Sequence, residues 1–146
     1  MKDVAQELES LLATNTDRLR AIHEGTASHR SNTGKWSKKE ILGHLIDSAA
    51  NNHQRFVRLQ LQGRLDLPGY EQEGWVRSQR YQDLPWNDII ELWRVYNRHL
   101  AHLIRTVDSA SLQKRWYKPN GENYDLEFIM RDYVVHMRHH LDQILS

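Results

Sequence analysis

Cysteine is absent from the 146 residues, which excludes disulfides and thiolate metal ligands but leaves the compartment open. Proline is nearly as scarce at three residues and glycine stops at seven. They fall at a few places, and those places mark the joints between elements. No apolar run approaches the roughly 20 residues of a membrane span, so no membrane partner is expected. The opening MKDVAQELES is charged from its second residue and has no apolar stretch of signal-peptide type. Cytoplasm is therefore the default address. A surplus of one charge sign is also missing: twenty basic against nineteen acidic residues leave +1. That balance provides no field for gripping a phosphate backbone, so no nucleic acid partner is expected either. The length is that of a single domain, residues 1–146, able to bury a core without covalent staples.

What the chain does have is nine histidines and five tryptophans. Histidine both binds metals and shuttles protons near neutral pH. These residues sit in a chain whose apolar positions recur at helical spacing. Val4, Leu8, Leu11, Leu12, Leu19 and Ile22 predict a first helix from Lys2 to about Glu24, with a polar loop following to Gly34. Ser37-Lys38-Lys39-Glu40 has the form of a capping box and opens a second helix to about Gln62. Residues 64–84 carry no periodicity of their own and hold Pro68-Gly69, a connection far longer than two adjacent helices need. A third helix is predicted from near Pro85 to Val107 and a fourth from near Asp125 to Leu145. Between them Trp116–Gly121 reads as a short extended piece with a turn. Four long amphipathic helices and no long strand predict an all-α fold, a four-helix bundle.

His136 and His140 lie one helical turn apart and can face one ion. Nine histidines in 146 positions give about half such a pair by chance, so the pair alone is weak evidence and two half-buried histidines bonded to neighbours are its alternative reading. His44 strengthens the pair. It begins a polar edge of the second helix, continued by Asp47, Asn51 and Arg55, that borders the apolar stripe. Unpaired polar burial is costly, and an ion with its bound solvent would relieve it; the alternative is a solvated flank. At 1.5 Å per residue, His44 stands roughly 9 Å from the start of its helix. The His136/His140 midpoint stands roughly 10 Å from the end of the last helix and about 20 Å from its start. The three meet only if helices 2 and 4 are antiparallel. A long crossover between helices 2 and 3 provides that arrangement, and the connection over 64–84 is long enough to make it. His139 points away from the pair, His99 and His102 form an ordinary seam or surface pair, and His23, His29 and His53 have no evident partner.

The chain resembles the DinB/YfiT-like superfamily. The resemblance rests on Trp36-Ser37, His44-Leu45-Ile46-Asp47-Ser48 and Arg55-Phe56, then on Trp116 with Pro119 and Gly121, and on Tyr133 to Leu141 around the final histidines. It implies an up-down-down-up bundle and a divalent metal ion, zinc or nickel before others, on His44, His136 and His140. Three imidazoles leave coordination positions open, as at catalytic rather than structural sites. The resemblance further implies a thiol S-transferase acting with a low-molecular-weight thiol cosubstrate. A metal-dependent hydrolase and a non-catalytic metal- or ligand-binding bundle are its rivals. Lys118 stands before Pro119 where some relatives have histidine, which bears on the substrate. Asp47 is the expected catalytic residue, orienting a ligand histidine or the open-site water, with a surface ion pair as its alternative role. Arg55, Tyr70 and Trp75 are candidate pocket residues, with ordinary packing or surface positions as the alternative; a small molecule is the expected substrate, and a homodimer is the expected assembly.

Overall fold

The computed structural model describes residues 1–146. Its first helix, α1 (Lys2–Arg20), buries Val4, Leu8, Leu12 and Leu19 along one stripe. It ends at Arg20, short of the expected Glu24, because His23 is extended (φ −65°, ψ 144°) and caps a separate short helix, α2 (Glu24–Ser28). Only Ala27 of α2 reaches the core, too little apolar pattern to distinguish it from loop.

The next helix, α3 (Lys38–Leu61), starts on the expected capping box. The Glu40 N–H donates to Ser37 Oγ at 3.2 Å, and the Ser37 N–H donates to Glu40 Oε2 at 2.8 Å. Losing such a cap costs about 1 kcal/mol. The long connection that follows is not featureless. It contains the strand β1 (Arg64–Asp66), the helix α4 (Gln72–Gln79) and a single 3-10 turn at Tyr81–Asp83. Then α5 (Trp86–Thr106) follows directly on Pro85, which suits a helix start. The strands β2 (Arg115–Tyr117) and β3 (Asn123–Asp125) form a hairpin through Gly121, whose φ of +90° lies in the left-handed region. Finally α6 (Leu126–Leu145) is capped by Asp125, which accepts the Phe128 N–H at 2.8 Å.

Side-chain pairs between helices give the directions. Arg105 meets Glu9 and Arg20 meets Glu91, so α1 and α5 are antiparallel. Arg131 meets Asp3 and Arg138 meets Glu7, so α1 and α6 are parallel. Lys39 reaches the Leu84 carbonyl and His53 reaches Tyr96, so α3 and α5 are parallel. Lys38 reaches the Ile144 carbonyl and Phe56 packs on Tyr133, so α3 and α6 are antiparallel. The order is up-down-down-up, as expected, and the connection from α3 to α5 is the crossover.

The three short strands form one sheet, β1-β2-β3. Parallel pairing sets Leu65 opposite Trp116, and antiparallel pairing sets Trp116 opposite Tyr124. This sheet ties the crossover to the segment before α6. A core of 31 buried apolar residues joins the four long helices, and no helix is long and apolar enough to cross a membrane.

Candidate metal centre

Residues 42–49 of α3 are buried without interruption, because α5, α6 and the crossover cover the helix on several sides. The polar edge is therefore internal rather than a solvated flank. His44 and Asp47 are each 1% exposed and Arg55 is 7% exposed. Asn51 is half-buried and donates to the Asp47 carbonyl at 2.9 Å.

Antiparallel packing of α3 on α6 brings the three expected histidines together. His136 Nε2 lies 3.2 Å from His44 Nε2 and 3.1 Å from His140 Nε2. One nitrogen from each residue falls within 4.8 Å of the other two. Imidazole nitrogens at the roughly 2.0–2.1 Å of a tetrahedral zinc ion stand about 3.3 Å apart, so the spacing fits a shared ion. Protonation fits as well. Burial, then the neighbouring His136 and His140, pushes His44 down to about 3. Burial, then His140 and His139, takes His136 to about 4. Burial also lowers His140, against the opposing effect of Gln143. Three neutral imidazoles are the form that ligates.

Gln143, three residues beyond His140, was not anticipated. Its Oε1 lies 2.8 Å from His140 Nδ1, and an amide oxygen only accepts, so Nδ1 carries the proton and the Nε2 lone pair faces the cluster. A carbonyl or carboxylate beside a histidine in this way is usual at metal sites. The spacing was its only sequence signal. On the other side the Trp36 ring stands 5.1 Å from the His44 ring.

Asp47 neither forms the surface ion pair nor holds a ligand histidine. No cation pairs with it, so the surface ion pair is absent, and it does not bond His44, whose buried Nδ1 has no partner. Instead its Oδ1 accepts from Tyr81 Oη at 2.7 Å and from Gln79 Nε2 at 2.5 Å. Its buried Oδ2 has no partner. Burial raises the Asp47 pKa against the lowering effect of those two donors. Both come from the crossover and were invisible in the sequence. Tyr81 can approach because Gly43 has no side chain: a Cβ there would stand 2.2 Å from Tyr81 Cδ2.

Beside His136 opens a cleft of about 500 Å³ lined by Arg55, Tyr70, Trp116, Lys118 and Tyr133, among others. Burial, then the Asp47 charge, pushes the Tyr70 hydroxyl up to about 12, so it stays protonated at neutral pH and can donate a hydrogen bond. Trp75 is 37% exposed and packs edge-on against Tyr70; it is not part of the lining. The remaining histidines stay outside. His139 is exposed, with its ring 5.1 Å from that of His140. His53 does have a partner, Tyr96 Oη at 3.0 Å, and its ring stacks edge-on near His99. His102 is exposed.

An up-down-down-up bundle with three convergent histidines at one end of an antiparallel helix pair defines a recognisable class of small proteins. The chain belongs to the DinB superfamily, whose family model matches residues 3–144. A Halalkalibacterium halodurans protein named "Putative metal-dependent hydrolase" is 24% identical over 121 residues, covering 83% of this chain and 69% of its own. A Bacillus mycoides protein of the same description is 21% identical over 141 residues, covering 97% of this chain and 81% of its own. The solved structure of YfiT from Bacillus subtilis, described as having an unusual four-helix bundle topology, superposes with a TM-score of 0.87 at 22% identity. That superposition covers 98% of this chain and 83% of YfiT.

Proposed function

We propose that this chain is a divalent-metal-dependent enzyme, with His44, His136 and His140 as the ligands, and that hydrolysis of a small molecule is its reaction. The carrying observation is the convergence of three neutral imidazoles beside an open cleft. The names of the relatives favour hydrolysis. A divalent ion held there, which all-imidazole donors allow to be zinc or nickel as well as copper or iron, would supply Lewis acidity and lower the pKa of a bound nucleophile.

The protein's own contribution is separable from the ion. Gln143 fixes the tautomer of His140. Trp36 and the α3–α6 seam keep solvent from His44. Asp47, held through Oδ1, presents Oδ2 as a proton acceptor or orienting group. Tyr70 offers a hydrogen-bond donor to a substrate in the cleft.

A second reading is thiol S-transfer, in which a low-molecular-weight thiol replaces water as nucleophile. The volume of the cleft favours keeping it, since about 500 Å³ admits a cosubstrate. The expected homodimer finds support in Leu92 and Val95, half-exposed apolar side chains one turn apart on α5, and light scattering tests it.

The deciding experiment gives the zinc- or nickel-loaded protein a panel of activated esters and amides, then a small thiol with an electrophile. Metal-dependent cleavage without thiol supports hydrolysis, and conjugation that requires the thiol supports transfer. Stoichiometric metal binding with neither activity would overturn the enzyme reading and leave a binding bundle.

A further inference from the structure

Arg55 poses a problem that the three-histidine site does not solve. It is a cation 93% removed from solvent (7% exposed), yet no carboxylate pairs with it. It makes one hydrogen bond, from Nη1 to Asn52 Oδ1 at 3.1 Å, its guanidinium carbon stands 3.9 Å from the Trp116 ring, and Tyr70 lies near enough to favour its charged form. Its Nε is buried with no partner. Arginine does not shed its charge in proteins, so burial, which depresses its pKa, cannot be relieved by deprotonation. Buried charges are ordinarily paired. This one faces the cleft beside His136.

A second cation stands nearby. Lys118 also lines the cleft, with its Nζ 5.7 Å from the Trp116 ring and engaged with Glu122 at 2.6 Å. The lining carboxylate, Asp132, is exposed at the rim. The guanidinium lies over the Trp116 ring, whose Nε1 is itself anchored on the Leu67 carbonyl at 2.7 Å. A planar fork held in this way is suited to two parallel bonds with a carboxylate or phosphate.

We propose that Arg55, on its Trp116 platform and assisted by Lys118, is an anion-recognition site, and that the substrate carries a carboxylate or phosphate that docks there while its reacting group faces the histidines. The placement of the reacting group rests on the enzyme reading above; the anion site does not.

The test is calorimetric titration of the metal-free protein with inorganic phosphate and, separately, with succinate, so that no anion binds through a metal ion. Saturable one-to-one binding of either probe is expected, and the probe that binds tighter identifies the ligand group. Arg55→Gln should weaken it at least tenfold, Arg55→Lys by less, and Lys118→Gln should weaken it several-fold. A role confined to packing predicts the opposite pattern: Arg55→Gln lowers Tm in anion-free buffer and leaves anion affinity unchanged. That pattern, or no saturable binding of either probe to the wild type, overturns the proposal. If Arg55→Gln does not fold, Lys118→Gln on the cleft rim decides alone, and unchanged affinity in it counts against the site. Because the metal is absent throughout, failure of the hydrolysis assay and failure of anion binding are separate results.

Discussion

Replacing Gly43 by alanine should destabilise the protein even though alanine is the better helix former. The substitution gains about 1 kcal/mol of helix propensity in the interior of α3. Against it, the new Cβ would stand 2.2, 2.4 and 2.5 Å from three carbons of the Tyr81 ring. Carbon atoms settle at about 3.5–4.0 Å, so the ring must retreat by more than about 1 Å. Tyr81 is 3% exposed, and overpacking of this kind costs about 1–3 kcal/mol. The retreat also withdraws the hydroxyl from Asp47 Oδ1, a 2.7 Å bond to a buried carboxylate whose loss costs about 1.5–3 kcal/mol. The sum is a loss of about 1.5–5 kcal/mol, or a Tm lower by about 10 °C for a domain of this size. Thermal unfolding followed by circular dichroism measures it. Gly25→Ala is the control, because no atom lies within 4 Å of a Cβ there, and its Tm should hold or rise slightly. In a Tyr81→Ala background, Gly43→Ala should become neutral or stabilising. A Gly43→Ala protein as stable as the wild type would show that Tyr81 does not rest on α3 and that Asp47 is held by something else.

Three further expectations follow from the same contacts. His136→Ala or His140→Ala should abolish stoichiometric metal binding while the helical dichroism stays intact, since the core of 31 buried apolar residues does not rely on an ion. Loss of helix on chelation would instead make the ion structural. Asp47→Asn should lower turnover at least tenfold while metal content, read by mass spectrometry, stays near wild type, because Asp47 makes no bond to His44; equal turnover would make Asp47 a bystander. For Glu40, burial raises the pKa, but Arg30 and the Ser37 N–H outweigh it and the net shift is downward from 4.5. A depressed carboxyl contributes stability above its unfolded pKa and loses it as pH falls through the folded value. The Tm gap between wild type and Glu40→Gln should therefore be full at neutral pH and close progressively below about pH 4.5; a gap that does not change with pH refutes the pairing.

Much of the fold was legible because its signals are local. Ser37 and Glu40 announce the start of α3 within four residues, and the stripes of α1, α5 and α6 repeat often enough to read. The site was legible for a different reason. His44 near the start of one helix and His136/His140 near the end of another can meet in only one relative direction, and the long connection permits it. What escaped lies across the chain from its partner. Gln79 and Tyr81 sit in a segment whose one short helix buries only Val76, so neither stood out as a holder of Asp47. Strands of three residues are too short to show alternation, so β1 read as irregular chain and β2 only as part of a short extended piece before a turn. Arg55 was visible as a candidate, but its meaning depends on having Trp116 beneath it and no carboxylate beside it.

The crossover is the element on which these features converge. A short loop after α3 would return α5 antiparallel to it, leave α3 parallel to α6, and separate His44 from His136 and His140 by about 10 Å. It would also remove β1, whose pairing with β2 sets Trp116 opposite Leu65 and anchors the platform under Arg55 through the Leu67 carbonyl. Tyr70 on the cleft wall, and Gln79 and Tyr81 on Asp47, belong to the same segment. The connection that fixes the direction of α3 against α6 therefore also builds the wall of the cleft and holds Asp47. The metal centre and the anion-recognition site are consequently coupled through topology: an altered crossover would disturb both, whereas substitutions at His140 or Arg55 should disturb one at a time.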